Sequence, residues 1–299
     1  MTQNLDTTPG DVGRAYDQFA EIGATSSLGG NIHVGYWDDV HAAADPHTAA
    51  DPHTAHDTRE AGGARDIPIA EATDHLTDLV ADRLALRPGR HLLDVGCGNG
   101  FPALRVAEAR DLTVTGVTVS AQQVAEAAER AGRSAARDRA TFLLADAMDL
   151  PFEDGSFDGA WAIESLVHMT DQATALAEIH RVVRPGGRLV ISDLCLRRPF
   201  TGADTAVLDG MKRVYQLARI NTPDEHRARL AETGWELLEL TDIGEQVRPS
   251  YRHGAAAFRE LAASLDAEAA QRITTAAEVM EAFGKHPDTG YVLITAQRS

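Results

Sequence analysis

Between His91 and Leu196 the chain alternates short apolar runs with amphipathic helical periods, and the first run ends in a loop of three alternating glycines. His91–Val95 is five residues long, too short for a helix and bounded by turn residues, so it reads as a buried strand. Gly96-Cys97-Gly98-Asn99-Gly100 follows it. Phe101-Pro102 then opens a helix, proline being tolerated in the first turn because its missing N–H has no intrahelical partner there. Leu112–Val119, Ala140–Leu144, Phe157–Ile163 and Arg188–Leu194 read as further strands, with helices over Ala121–Arg133 and Asp171–Val183. Ala72, Leu76, Leu79, Val80 and Leu84 recur at helical spacing before the stop at Arg87-Pro88-Gly89. Trp235–Ile243 and Tyr291–Ala296 read as two closing strands. Strands alternating with helices at this spacing leave one main architecture, an α/β, Rossmann-like, doubly wound and mostly parallel sheet of seven strands.

Ligands of such sheets bind beyond the carboxyl ends of the strands, at the switch in strand order. The glycine loop sits at one of those ends. Alternating glycines let the backbone approach a ligand closely, and the helix that follows offers amide groups to an anion. The spacing is Gly-x-Gly-x-Gly, not the Gly-x-Gly-x-x-Gly of dinucleotide sites, and the Gly-Lys-Ser/Thr of a phosphate loop is missing. A nucleoside ligand without a pyrophosphate fits this pattern better than a dinucleotide.

Five stretches in order carry a closer likeness: Leu92 to Gly100, Asp146-Ala-Met-Asp-Leu-Pro-Phe152, Phe157-Asp158, Glu164-Ser-Leu-Val-His-Met169 and Arg181-Val-Val-Arg-Pro-Gly-Gly187. With them the segment Leu92–Leu196 resembles the class I S-adenosylmethionine-dependent methyltransferases, in particular the small-molecule group of rebeccamycin sugar, tocopherol and ubiquinone methyltransferases. The resemblance implies S-adenosyl-L-methionine as cofactor and S-adenosyl-L-homocysteine as product. It implies that Asp94 and the backbone of Gly96, Gly98 and Gly100 hold the amino-acid end. Asp146 would accept from the adenine amino group while the Ala147 amide donates to the ring, and Glu164 is implied as a further cofactor-binding residue. Asp158 is expected to support the fold. Where such enzymes usually carry an acidic residue for the ribose, this chain has Thr118, followed by Ser120 and Gln123. Neutral groups can still hydrogen-bond a ribose, without the strength of a carboxylate.

The likeness also implies chemistry. His168, after the fourth strand, is expected to act as general base, with Asp193 at the end of the fifth orienting its ring or stabilising its protonated form. The acceptor is expected to be a hydroxyl of a specialised metabolite. C-methylation of an isoprenoid or ring carbon, or a cyclase that binds the cofactor without transferring methyl, are the alternatives. An Arg-rich, Lys-poor composition, with Lys212 and Lys285 the two lysines, and the resemblance to natural-product enzymes both favour metabolite tailoring.

Two regions outside the core are expected to close over the acceptor. Residues 1–68 form an N-terminal helical lid, with Tyr16 facing the substrate and Tyr36 near the cofactor. A helical cap at about 197–222, inside a methyltransferase domain of 69–299, brings Met211 and Tyr215 to the substrate. Within the lid, 41–60 reads as a flexible loop holding the duplicated hexapeptide Ala-Asp-Pro-His-Thr-Ala. Its His41, His47, His53 and His56, interleaved with Asp45, Asp51 and Asp57, make a metal tract conceivable, but exact duplication with two prolines reads as a tolerated loop insertion. No metal is expected in the site.

The formal charge of −17 disfavours polyanions and anionic lipid, and no Lys/Arg run offsets it. Neither nucleic acid nor a membrane is an expected partner. Residues 1–90 hold 15 acidic and 6 basic side chains, more than half of the excess. Two cysteines, no signal-like start and no apolar stretch of membrane-spanning length give an expectation of a cytoplasmic protein.

Overall fold

The computed structural model describes Gly10, Val12–Arg14, Asp17, Gly30–Asp38 and residues 67–299. Tyr16 and the duplicated loop lie outside these residues. Seven strands form one sheet in the order β3-β2-β1-β4-β5-β7-β6. In chain order the elements begin with α1 (Ile69–Leu84), β1 (His91–Val95), α2 (Phe101–Arg110), β2 (Thr113–Thr118), α3 (Ala121–Gly132), β3 (Ala140–Leu144) and β4 (Phe157–Ile163). They continue with α4 (Gln172–Val182), β5 (Val183–Leu196), α5 (Thr205–Tyr215), α6 (Pro223–Glu232), β6 (Trp235–Asp242), α7 (Gly244–Val247), α8 (Pro249–Ala262), α9 (Ala267–Lys285) and β7 (Thr289–Arg298). All neighbours from β3 to β5 pair in parallel, and β7 runs antiparallel between β5 and β6.

Alternation along each strand builds two cores, since successive side chains point to opposite faces. Leu92, Val114, Trp161, Val190 and Leu293 pack on one face; Leu93, Val117, Ala160, Ala162, Ile191, Val292 and Ile294 pack on the other. Because both faces are covered, the central strands are mostly apolar, with Asp94, Ser192 and Asp193 as buried polar exceptions. Local chemistry ends the helices where expected. Asp171 caps α4 by accepting the Thr174 N–H at 3.0 Å. Thr222 and Glu225 form a reciprocal capping box at the start of α6. Asp158 accepts the His91 N–H at 2.7 Å and pairs with Arg184, which is the supporting role expected of it.

The order reverses between β1 and β4, so the expected ligand crevice falls at the ends of β1, β2 and β4. The cap differs from expectation. The helical period read over Thr205–Ile220 stops at Tyr215, because Gln216 turns left-handed with φ +52°. α8 and α9, between β6 and β7, form a further helical region that the sequence left unassigned. Ala255, Phe258, Ile273, Ala276 and Ala277 form its core, with Val214 and Tyr215 of α5 packed against it.

Candidate active site

A cavity opens at the switch point. Asp94, Gly96 and Gly98 line it from the end of β1, Thr118, Ser120 and Gln123 from β2 and α3, Asp146 and Ala147 from beyond β3, and Glu164, Ser165, His168, Met169 and Thr170 from beyond β4. Val12, Gly13, Ile32 and His33 close it from the N-terminal side.

The glycine loop is held in a shape that other residues resist. Gly96 has φ +76°, and a Cβ there would sit 2.3 Å from the Ser165 Cβ. Gly98 has φ +53°, and its Cβ would meet Ile32 at 2.6 Å. Gly100 departs from its expected role: it does not line the cavity, and its Cβ would meet Ala127 and Phe142 at 2.9 Å. It is a packing glycine at the left-handed start of α2.

Asp94 is 3 % exposed, and its Oδ2 has no hydrogen-bond partner among the described residues. Burial pushes its carboxyl up to about 7, against the Trp161 indole, which pulls it down. An unpartnered buried carboxylate on a cavity wall is costly unless a ligand cation completes it. An amino-acid ammonium is such a cation, so the residues present fit the cofactor's amino-acid end. At the other end Asp146 Oδ1 accepts the Met148 N–H at 2.9 Å, which fixes the turn on which Asp146 and Ala147 face the cavity. The Thr118 hydroxyl donates to Gln123 Oε1 at 2.7 Å, and Ser120 Oγ caps α3 by accepting the Gln123 N–H at 3.0 Å. Thr118, Ser120 and Gln123 thus lie together on the cavity wall, with Gln123 oriented by Thr118.

Glu164 is half-buried at φ +47°, a left-handed conformation rare for a side chain of its kind. Its Oε1 accepts from the Val34 N–H at 2.8 Å and from the Tyr291 hydroxyl at 2.9 Å. Burial raises it to about 7 despite both donors. Around it the segment Gly30–Asp38 is pinned by polar contacts: Asn99 donates to Gly30 O at 2.7 Å, Asn31 to the Thr73 hydroxyl at 2.9 Å, Gly35 N to Ser250 Oγ at 2.8 Å and Tyr36 N to Ala72 O at 2.8 Å.

His168 sits in a single 3-10 turn, Leu166–His168. Its Nδ1 lies 3.2 Å from the Gln216 carbonyl oxygen. A carbonyl only accepts, so the proton is on Nδ1 and Nε2 carries the lone pair. Burial lowers the ring to about 4, which keeps it neutral at pH 7. Asp193 departs from its expected role. It is fully buried off the cavity wall, and its carboxylate accepts the Val167 N–H at 3.2 Å and the Leu194 N–H at 2.9 Å. Burial and the Glu164 charge hold it well above the usual carboxylate range. β5 runs two residues beyond the expected end, which buries Asp193 inside the strand, where it anchors the histidine's turn.

Three further assignments move. Tyr36 lies outside the cavity, its phenol near Asp38 and Arg83. Met211 is buried in the core, and the Tyr215 hydroxyl donates to Ala276 O at 3.1 Å, tying α5 to α9. Neither lines the cavity. Their helical spacing marks a buried face and is silent on what covers it. Four participants were not assigned from sequence. Ser165 has a buried, unpartnered Oγ on the cavity wall. His33 joins the wall with its ring nitrogens at Val34 O and the Thr77 hydroxyl. Tyr291 acts from a strand read as core. Gln216 acts through a backbone atom, which leaves no mark in a sequence.

Among the described residues no group of His, Cys, Asp or Glu is arranged to hold a metal ion, and no helix is long and apolar enough to cross a membrane.

Comparison with known proteins agrees with this geometry. Residues 93–191 match the family model described as a methyltransferase domain. The chain is 38 % identical to 27-O-demethylrifamycin SV methyltransferase of Amycolatopsis mediterranei, over 97 % of its own length and 98 % of that protein. It is 37 % identical to the O-methyltransferase resE of Aspergillus sclerotiorum, over 98 % and 99 % of the two chains. Among solved structures, that of the (4+2)-cyclase SpnF superposes with a TM-score of 0.76 at 33 % identity, covering 98 % of this chain and 97 % of that one.

Proposed function

The chain belongs to the S-adenosylmethionine-dependent methyltransferases, and we propose that it methylates a hydroxyl of an uncharged specialised metabolite, with His168 as general base. One observation carries the reading: a single cavity presents Asp94, whose Oδ2 has no partner among the described residues, beside the glycine loop and, on the wall after β4, a neutral histidine whose Nδ1 is engaged and whose Nε2 holds the lone pair.

The cofactor supplies a methyl group on a cationic sulfur, already reactive toward an oxygen lone pair. Asp94 would hold its ammonium, the Gly96–Gly98 backbone its carboxylate, Thr118, Ser120 and Gln123 its ribose, and Asp146 with Ala147 its adenine. Three acidic side chains, Asp94, Asp146 and Glu164, stand on the wall, where a cationic sulfonium would favour their charged forms. Among the described lining residues no Arg or Lys balances them. A phosphorylated or diphosphorylated acceptor is therefore disfavoured, and with it C-methylation of an isoprenoid diphosphate.

The base works in concert with transfer. Moving a proton from a phenol (about 10) to a ring at about 4 is uphill by roughly 6 units, or about 8 kcal/mol. An aliphatic hydroxyl, with a water-like value near 16, is further uphill. Full deprotonation before attack is too costly, so the hydroxyl proton passes to His168 Nε2 as the oxygen–carbon bond forms. Positioning contributes several kcal/mol more by aligning oxygen, methyl and sulfur.

The similarity to a (4+2)-cyclase sustains a second reading, cofactor binding without methyl transfer. Incubation with cofactor carrying a ¹³C methyl group and a panel of neutral hydroxylated metabolites separates the readings. A methoxy carbon signal in the product supports O-methylation. Label on carbon supports the C-methyl alternative, and product rearranged without label supports the cyclase.

A further inference from the structure

The turn that carries His168 has its polar backbone groups engaged by named partners, and the segment after α5 supplies several of them. The Val167 N–H is taken by Asp193 at 3.2 Å. The Val167 carbonyl accepts from the N–H groups of Ala218 at 2.8 Å and Arg219 at 3.1 Å. The Leu166 carbonyl accepts from the Gln172 side chain at 2.8 Å, and the same amide reaches Arg219 O at 3.2 Å. Asn221 donates to Gln172 Oε1 at 2.6 Å and so holds that amide in place. His168 Nδ1 completes the set at Gln216 O.

Gln216 reaches this position by a backbone choice that costs free energy. Its φ of +52° and ψ of +42° are left-handed, a region where a side chain with a Cβ is disfavoured by roughly 1–2 kcal/mol. The conformation ends α5, lets Leu217 N close on Lys212 O at 2.9 Å, and turns the Gln216 carbonyl toward the histidine. The side chain is not the active part. Its Nε2 points back to Arg213 O at 2.7 Å, on the exposed side. A conformation kept at a cost beside a reactive side chain is where a functional constraint is expected.

We infer that Gln216 is a positioning residue for methyl transfer: its left-handed backbone aims a carbonyl at His168 Nδ1, fixes the ring's tautomer, and leaves Nε2 as the proton acceptor. The inference rests on His168 being the base. It also places control of the base in the segment following α5, so that the base is fully set only when residues 216–219 are docked on the turn. The carboxylate of Asp193, expected from sequence to orient the ring, orients the turn instead.

The test has two parts. In the parent protein labelled with ¹⁵N-histidine, the His168 signal, identified by its loss in His168→Gln, is expected to show a protonated Nδ1 and a lone-pair Nε2 at pH 7.5. A protonated Nε2 overturns the inference, and this measurement needs no variant of Gln216 to fold. In the second part Gln216→Gly, which favours the left-handed turn, is compared with Gln216→Val, which resists it. The valine variant is expected to transfer methyl in a single turnover about tenfold or more slowly than the glycine variant, with cofactor Kd values within about twofold. Equal rates overturn the inference. Activity of His168→Gln separates the two claims: a parental rate removes the base reading and the inference with it, whereas an inactive His168→Gln with a protonated Nε2 in the parent removes the inference alone.

Discussion

The Glu164 carboxylate accepts the Val34 N–H at 2.8 Å across 130 positions of sequence, so the segment covering the cavity is fastened to the end of β4 by a half-buried acid. The Tyr291 hydroxyl shares the same oxygen. A glutamine carbonyl can accept both donors, so Glu164→Gln removes the charge and keeps the bonds. Glu164 is raised from 4.5 to about 7 in the folded protein, so its stabilising neutral form is present below 4.5 and lost as pH rises through 7. The parent protein without cofactor is expected to lose about 3 kcal/mol between pH 4.5 and 8 that Glu164→Gln retains. Chemical unfolding of both proteins across that range checks it; a constant offset between them contradicts it.

Asp94 makes cofactor binding pH-dependent. Raised to about 7 by burial, it is largely protonated at pH 6, whereas pairing with an ammonium requires the carboxylate. Binding of S-adenosylhomocysteine at pH 6 is therefore expected to release close to one proton, and affinity to rise from pH 5 to 7. Calorimetry in buffers of different ionisation enthalpy reads the proton directly. Asp94→Asn is expected to weaken binding roughly ten- to hundredfold, the range for a hydrogen bond to a charged group, and to flatten the pH dependence. Unaltered affinity in that variant would remove Asp94 from the site.

The glycines divide by what a side chain would meet. Gly96→Ala combines a left-handed backbone with a Cβ 2.3 Å from Ser165 and is expected to cost about 2–4 kcal/mol. Gly186 has a similar φ of +78° but nothing within 4 Å, so Gly186→Ala is expected to cost about 1–2 kcal/mol, the backbone penalty alone. Gly98→Ala pushes on Ile32 and is expected to weaken cofactor binding more than it lowers stability. Denaturation midpoints and cofactor titrations of the three variants, set side by side, would expose a wrong ranking.

Asp193→Asn sets an amide against backbone N–H groups that the carboxylate accepts. A cost of about 1–3 kcal/mol in folding stability is expected, with a fall in kcat through the shifted turn. A variant with parental stability and low kcat would instead favour a direct chemical role for Asp193.

Much of this site was legible because strand ends and glycine loops carry local signatures. The run His91–Val95 into Gly96 needs only periodicity and the absence of side chains to declare itself, and the motif residues Asp94, Thr118, Gln123, Asp146 and His168 all reach one cavity. What stayed hidden depends on tertiary burial. Met211 and Tyr215 have the spacing of a buried face, yet the covering partner, α9, is some sixty residues away in sequence. Asp193 was expected at the rim, and the extension of β5 to Leu196 takes it inside. The Gln216 carbonyl belongs to the main chain, which every residue has, so nothing in the residue type announces it.

In the proposed reaction His168 is the group that receives the acceptor's proton. Single-turnover transfer of ¹³C-methyl to a hydroxylated acceptor, at saturating cofactor, should slow about a hundredfold or more in His168→Ala, the usual range for a general base, while cofactor Kd stays within about twofold. Transfer at the parental rate by His168→Ala would contradict it.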